Sequence, residues 1–199
     1  AEPILAQFSK QTGIRVLPVF DSEAVKTVGL ANRLRAEREH PACDVFWGNE
    51  EMRARQLEAE GVFAETNGMA TFGHRSRCLV FKEGGNPVPH ISSATFLDLT
   101  NAVWRGKISL ALPLFGTTAT HFLALREHWG TNRWEQWCSA LAANRPFLEE
   151  GNSQVVRRVA RGEAMVGLTD SDDVHAARQD GLTVQALADF PETLRIPNA

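Results

Sequence analysis

The sequence lacks most of the features that would assign a class at first reading. Among its 199 residues there is no tyrosine, and its three cysteines, Cys43, Cys78 and Cys138, never form a CxxC pair. This spacing argues against a disulfide framework and against a zinc knuckle, so we expect each cysteine to be a small, buried apolar residue. No apolar run approaches the roughly 18 residues of a membrane span, and the first residues lack the basic-then-apolar order of a signal peptide. We therefore expect a soluble chain, either cytoplasmic or already processed.

The chain also lacks a strong charge of either sign. Its 21 basic and 24 acidic residues are interspersed and give a formal charge of -3. Neither a nucleic-acid-binding stripe nor a polybasic membrane patch stands out, which favours a small-molecule or protein partner. A hydrophobic share of 43% is ample for a buried core in one large domain or two small ones.

What the sequence does contain is an alternation of helices and strands. Helical patterns are predicted at about 2–12, 23–39, 50–60, 118–129, 132–143, 152–161 and 172–179. Strands are predicted at 14–20, 44–47, 75–82, in the segment that ends at 112, and at 164–168. Such alternation predicts mostly parallel, helix-covered sheets, here two of them, with a boundary near the turn-rich stretch GGNPVPHISS.

The stretch PLFGTTATH (113–121) ends a strand and opens a helix. Gly116 permits a tight turn there, and Thr117 or Thr118 can cap the helix, whose first backbone N–H groups have no partner within it. Unpaired N–H groups and the positive end of the helix dipole favour phosphate, phosphonate or carboxylate. An ordinary helix cap is the alternative interpretation, and the missing lysine excludes a nucleotide P-loop.

Two further stretches repeat this pattern after a strand. In GNS (151–153), Asn152 or Ser153 can cap a helix, and helix starts that follow the strands of one doubly wound sheet converge on a shared crevice. In TDSDD (169–173) the aspartates could bind a hard cation, although the glycine and distal glutamate of a calcium loop are missing. Alternatively, Asp170 or Ser171 caps the next helix and the other aspartates favour its first turn. In the first part of the chain, DVFWGNE (44–50) ends a strand with Trp47, which can line a cleft.

Taken together, five stretches resemble a known family: AQFSKQTGIRV, RLRAEREHPACDVFWGNE, WRGKISLALPLFGTTATHFLAL, GNSQVVRRVARGEAMVGLTDSDDV and LRIPNA. In this order, and over nearly the whole chain, they are similar to bacterial extracellular solute-binding proteins of ABC importers, in the group commonly labelled iron(III)-binding. The resemblance implies an α/β fold of the type II periplasmic binding protein kind, in which two α/β lobes close on a ligand in the cleft between them. Lobe one is then residues 1–74 with a returning crossover at about 193–199, and lobe two is residues 75–192.

The resemblance also implies which residues line the cleft. These are Trp47, Asn49 and Glu50 from lobe one, and Thr117, Thr118, His121, Asn152, Ser153, Asp170, Asp172 and Asp173 from lobe two.

The chain departs from the family's iron site. Iron-binding members use tyrosine phenolates, which this chain cannot supply, so Fe(III) as a transported ligand would need Asp, Glu and His, with or without a bound anion. Helix starts rich in Thr, Asn and Ser favour an oxyanion such as phosphate, phosphonate, sugar phosphate or carboxylate instead. Relative to the family, we expect that either lobe one is incomplete, or the chain is a trimmed form or a degenerate paralogue.

The function predicted from the resemblance is the substrate-binding component of an ABC importer, which is not an enzyme and has no certain cofactor. Its partners would be a small ligand and the permease and ATPase subunits, with no nucleic acid. We expect a monomer outside the cytoplasm, periplasmic or extracellular, with a lipid anchor as one option. Two alternatives are a metal-dependent hydrolase that uses Asp170, Asp172 and Asp173, and a ligand-sensing regulatory module.

Overall fold

The computed structural model describes residues 2–20, 26–48, 51–64, 70–84, 95–187 and 190–198. The helices are α1 (Glu2–Thr12), α2 (Lys26–Ala36), α3 (Glu51–Ala59), α4 (Gly116–Trp129), α5 (Thr131–Ala143), α6 (Asn152–Ala160) and α7 (Ser171–Gln179). The strands are β1 (Gly73–Lys82), β2 (Ile108–Ala111), β3 (Phe147–Glu149), β4 (Val166–Asp170), β5 (Val184–Leu187) and β6 (Arg195–Asn198). Two short 3-10 helices, Phe96–Thr100 and Ala102–Trp104, precede β2. None of the described helices is long and apolar enough to cross a membrane.

The strands form one mixed sheet in the order β3-β2-β4-β1-β5, with β6 paired to β1. The predicted parallel pairing is confirmed for β2 with β3 and with β4. In contrast, β1 runs antiparallel to β4, β5 and β6, so the expectation of a mostly parallel sheet is wrong for this strand. Along β1 the pairing partner changes: residues 73–76 face β6, and residues 77–82 face β4 and β5.

Alternation along β1 divides the core between the two faces of the sheet. Leu79 and Phe81 point to a layer rich in large side chains, which includes Trp104 and Trp137 and is covered by α4 and α5. Cys78 and Val80 point to the opposite layer of small side chains, mostly valine and alanine, where α6 and α7 pack. Because successive residues of a strand point to opposite faces, β1 contributes apolar side chains to both layers. Helices cover both faces of the sheet, as expected for an α/β fold.

Two predicted strands of the first part of the chain are absent from the described structure. Residues 14–20 and 44–47 form no ladder with any described strand, and Leu17, Val19 and Val45 are exposed. An apolar pattern alone does not make a strand, because the backbone N–H and C=O groups need a neighbouring strand to bond to.

The cysteines differ in burial. Cys78 is fully buried, as predicted, whereas Cys138 is half-buried and Cys43 is exposed, so the expectation that all three are buried is wrong for these two. All three thiols are free, in agreement with the absence of a disulfide framework.

Candidate functional site

Three helices begin side by side at one edge of the sheet. The parallel strands β2, β3 and β4 are followed by α4, α6 and α7, and α7 starts directly after Asp170, the last residue of β4. Because parallel strands present their carboxyl ends at the same edge, the positive ends of these three helix dipoles are brought together. The helix starts therefore meet at the edge where the sequence predicted a shared crevice.

None of the three helices is capped by the side chain of its N-cap residue. The N-cap residues are Phe115, Gly151 and Asp170, and none of their side chains bonds to the helix that follows. The prediction that a threonine caps α4, or that Asn152 or Ser153 caps α6, is therefore wrong, because these residues lie inside the first turn. Asp170 holds the N-cap position of α7, but its carboxylate is turned into the protein.

The side chains that were expected to cap instead form a buried network around Asp170, which is fully buried. Arg77 Nη1 donates to Asp170 Oδ1 at 2.7 Å, and Thr117 Oγ1 donates to Asp170 Oδ2 at 2.5 Å. Asn152 Nδ2 donates to the same Oδ2 at 2.9 Å and to Thr117 Oγ1 at 3.0 Å. Thr118 Oγ1 donates to Asn152 Oδ1 at 3.4 Å. Four predicted site residues are thus brought together, but their polar atoms bond chiefly to one another.

Arg77 is the cation at the centre of this network. Its side chain is completely buried, and its Nε and Nη2 atoms have no hydrogen-bond partner among the described residues. A buried guanidinium with two unpaired nitrogens, which carry three N–H groups, is costly, since buried polar groups are almost always hydrogen-bonded. Below the three helix starts the protein therefore holds a guanidinium that is paired with Asp170 and whose donor capacity is only partly used.

A second arginine, Arg75, lies two residues earlier on the same face of β1. Its Nη1 is 3.2 Å from Asp172 Oδ2 and 3.8 Å from Asp170 Oδ2. Its Nε and Nη2 both donate to Asn198 Oδ1 on β6, at 3.0 and 2.7 Å. The sequence interpretation missed both arginines. The available signal was two charged residues spaced i, i+2 at the start of an otherwise apolar, buried strand.

The three aspartates of the TDSDD stretch do lie together. Asp170, Asp172 and Asp173 each place one carboxylate oxygen within 4.8 Å of the others. Asp170 is buried, whereas the side chain of Asp172 is 48% exposed. Burial raises the pKa of Asp172, the charge of Arg75 opposes that rise, and the neighbouring Asp170 carboxylate adds to it. Of the three carboxylates, that of Asp172 is the most exposed, that of Asp173 is half-buried and that of Asp170 is buried.

His121 lies beneath the crevice, in the core. It is fully buried, its ring packs edge-on against Phe96 with centroids 4.7 Å apart, and its Nε2 is 3.3 Å from the backbone oxygen of Glu192. Burial and then the charge of Arg77 lower the pKa of His121 to about 3, so the imidazole is neutral near pH 7. It lines the core side of α4, one helical turn from Thr117.

The predicted residues from the first part of the chain are only partly described. Trp47 is 37% exposed and meets Phe72 edge-on, with ring centroids 5.0 Å apart. Asn49 and Glu50 lie outside the described residues. Ser153 is half-buried in the first turn of α6.

Comparison with protein families identifies the chain. The model of the bacterial extracellular solute-binding protein family matches residues 1–199, so the chain belongs to this family. No curated protein sequence matches it.

Solved structures with the same fold include the following three. Iron-bound HitA from Pseudomonas aeruginosa matches with a TM-score of 0.85 at 18% identity, over 98% of this chain and 68% of that one. The ferric binding protein from Campylobacter jejuni matches with a TM-score of 0.79 at 17% identity, over 99% and 70%. AfuA from Actinobacillus pleuropneumoniae, with fructose-6-phosphate bound, matches with a TM-score of 0.81 at 17% identity, over 99% and 68%. At these identities the likeness shows the fold, which is that of type II periplasmic binding proteins.

The family confirms the predicted role. The chain is a substrate-binding component of an ABC importer, a class of transport protein without catalytic activity, and no finding supports the hydrolase alternative. Its place is periplasmic or extracellular, and its partners are a small ligand and the importer.

Proposed function

We propose that this solute-binding protein captures a small ligand through an oxyanion group, which binds where α4, α6 and α7 begin. The observation that carries the proposal is the meeting of three helix starts, none capped by its N-cap side chain, above a buried arginine. Helix N-termini attract anions through free N–H groups and the macrodipole. Phosphate, phosphonate and carboxylate share this chemistry.

The burial of the threonines changes which atoms would contact the ligand. Thr117 is 6% exposed and Thr118 is 2% exposed, and both hydroxyls already bond within the network. We therefore assign the anion contacts to backbone N–H groups in the first turns of α4 and α6, with the network holding these turns in place. The Asp172 and Asp173 carboxylates would accept hydrogen bonds from hydroxyl groups of the same ligand.

A second candidate ligand is an Fe(III)–anion complex. The cluster of three aspartates favours it, because hard cations prefer oxygen ligands, and the ferric neighbours bind iron. In this arrangement the metal would lie at Asp172 and its accompanying anion at the helix starts. The fructose-6-phosphate held by the Actinobacillus protein is the corresponding precedent for an organic phosphate.

The proposal includes closure of two lobes, residues 1–74 with 193–199 and residues 75–192. The change of pairing partner along β1, from β6 to β4 and β5, supports a division at that strand. Trp47, Asn49 and Glu50 would then approach the ligand from the first lobe. A monomer, held at the membrane by a lipid or free in the periplasm, is sufficient for such closure.

The test is a thermal-shift screen of metal-stripped protein with inorganic phosphate, methylphosphonate, fructose 6-phosphate, citrate and Fe(III)-citrate. A ligand that binds the native state raises the melting temperature by mass action. The site variant is Ser153→Asp, which places a carboxylate in the first turn of α6, where it suits the dipole but repels an anion. The matched control is Ser139→Asp on the exposed face of α5.

We expect Ser153→Asp to weaken binding at least about tenfold and Ser139→Asp to leave it unchanged. A shift with phosphate compounds that Ser153→Asp removes supports the oxyanion ligand. A shift with Fe(III)-citrate but not with citrate supports the second candidate. Equal shifts in both variants, or no shift with any compound, would refute the site.

A further inference from the structure

The carboxylate cluster at the start of α7 is already occupied by a side-chain cation. Arg75 Nη1 lies 3.2 Å from Asp172 Oδ2 and 3.8 Å from Asp170 Oδ2, and the Arg75 side chain is 8% exposed. The Arg75 side chain is buried but that of Asp172 is 48% exposed, so water screens this pair in part.

Arg75 is also held in place from the other side. Two of its three nitrogens, Nε and Nη2, donate to Asn198 Oδ1 of β6. The third nitrogen is therefore fixed towards Asp172, and it could turn away only by breaking these bonds. A guanidinium anchored in this way loses little conformational entropy when it pairs with a carboxylate.

The charge balance follows from these contacts. Asp170, Asp172 and Asp173 carry three negative charges, and Arg75 and Arg77 carry two positive charges, which leaves a formal charge of -1. The positive ends of three helix dipoles offset part of the remainder. The aspartates alone would attract a hard multivalent cation, whereas the complete site has little net attraction for one.

We propose that Arg75 is an internal counter-cation that determines the ligand charge accepted by the site. It excludes free multivalent cations from the aspartate cluster and admits ligands that bring an oxyanion of their own. This inference rests on the proposed function, since it concerns selectivity at the same crevice. Arg75 acts as a specificity-determining residue through its charge and its anchor on Asn198.

The experiment measures binding of Tb(III), a hard trivalent probe, by luminescence titration of metal-stripped protein. We expect negligible binding to the wild type. Arg75→Gln should raise the affinity for Tb(III) at least about tenfold, because it removes a positive charge within about 4 Å of a carboxylate. Adding Asp172→Asn to this variant should abolish the gain, which assigns the ion to the cluster rather than to unfolded chain.

Two controls separate the effect from net charge. Arg178→Gln removes one positive charge from the exposed last turn of α7, the helix that carries Asp172, and should leave Tb(III) binding at the wild-type level. Arg75→Lys keeps a positive charge near Asp172 but loses the paired Nε and Nη2 bonds to Asn198, so its Tb(III) affinity should lie between those of the wild type and Arg75→Gln.

Asn198→Ala provides a second route if Arg75→Gln does not fold. Freed from its anchor, Arg75 should occupy Asp172 less often, and the Tb(III) affinity should rise by a smaller factor in the same direction. The inference is overturned if the wild type binds Tb(III) as tightly as Arg75→Gln, or if no folded variant gains affinity. If the inference is overturned but the wild type binds oxyanions, the proposed function still stands. If the wild type binds no oxyanion, the proposed function is refuted, whatever the Tb(III) result.

Discussion

Mild acid should destabilise the protein through His121, and the size of the effect follows from its surroundings. The ring is fully buried, its Nε2 is bonded to the Glu192 carbonyl, and its Nδ1 has no partner among the described residues. Burial and the charge of Arg77 lower the pKa of His121 from its usual value of 6.5 to about 3. The folded protein therefore keeps the imidazole neutral at pH values where the unfolded chain protonates it.

The sign and the pH window follow from proton linkage. Below pH 6.5 the unfolded state binds a proton at His121 that the native state does not, so the free energy of unfolding falls as the pH falls towards 3. Each pH unit within this window costs about 1.4 kcal/mol, so at about pH 5 the loss is about 2 kcal/mol. Above pH 6.5 this contribution is fully present.

Guanidinium unfolding at about pH 7.5 and about pH 5, followed by tryptophan fluorescence, measures the loss. In His121→Gln, which cannot protonate, the difference in unfolding free energy between the two pH values should shrink by about 2 kcal/mol relative to the wild type. His128→Gln, an exposed histidine of the same helix, should keep the wild-type pH dependence. If His121→Gln retained the wild-type slope, a buried neutral His121 would not be its source.

Two further predictions concern packing and thiol chemistry. Gly167→Ala should destabilise the protein by about 1–3 kcal/mol in a denaturant titration. The reason is that the new Cβ would lie 2.5 Å from Val155 Cγ1 and 2.8 Å from Val80 Cγ1. Gly167→Ala with Val155→Ala should recover part of the loss, and no recovery would contradict a clash with α6 as the cause. Iodoacetamide should modify the exposed Cys43 in the native protein and reach Cys78 only after unfolding, because burial removes access to that thiol and raises its pKa to about 12. Native labelling of Cys78, detected by peptide mass spectrometry, would contradict this packing.

Sequence patterns predicted the second half of the chain well because its signals are local. Strand β1, helices α4 to α7 and the convergence of three helix starts follow from apolar periodicity and from the edge where parallel strands end. In the first part, the helices were predicted, but residues 14–20 and 44–47 were assigned as strands. Strand formation depends on a partner that is often distant in the sequence, as β6 is from β1, and periodicity carries no information about it.

The residues of the site were predicted better than their roles. Thr117 and Asn152 were identified from the strand-to-helix transitions, but they bond to Asp170 rather than capping their own helices. This bonding pattern depends on Arg77, which lies on β1, forty residues before Thr117 in the chain. Local rules of helix capping cannot anticipate a buried cation that competes for the same side chains.

The isolation of Trp47 gives the protein an optical reporter. The other four tryptophans, at positions 104, 129, 134 and 137, are buried or half-buried in or beside the layer under α4 and α5, and no tyrosine contributes to the emission. Trp47 alone among them is exposed, next to Phe72. Its fluorescence, isolated by subtracting the spectrum of Trp47→Phe, would therefore report solvent at one position of the chain against a constant background from the other four. The wavelength of maximum emission depends on the polarity around the indole, so a ligand that covers Trp47 would shift the emission spectrum without any added dye.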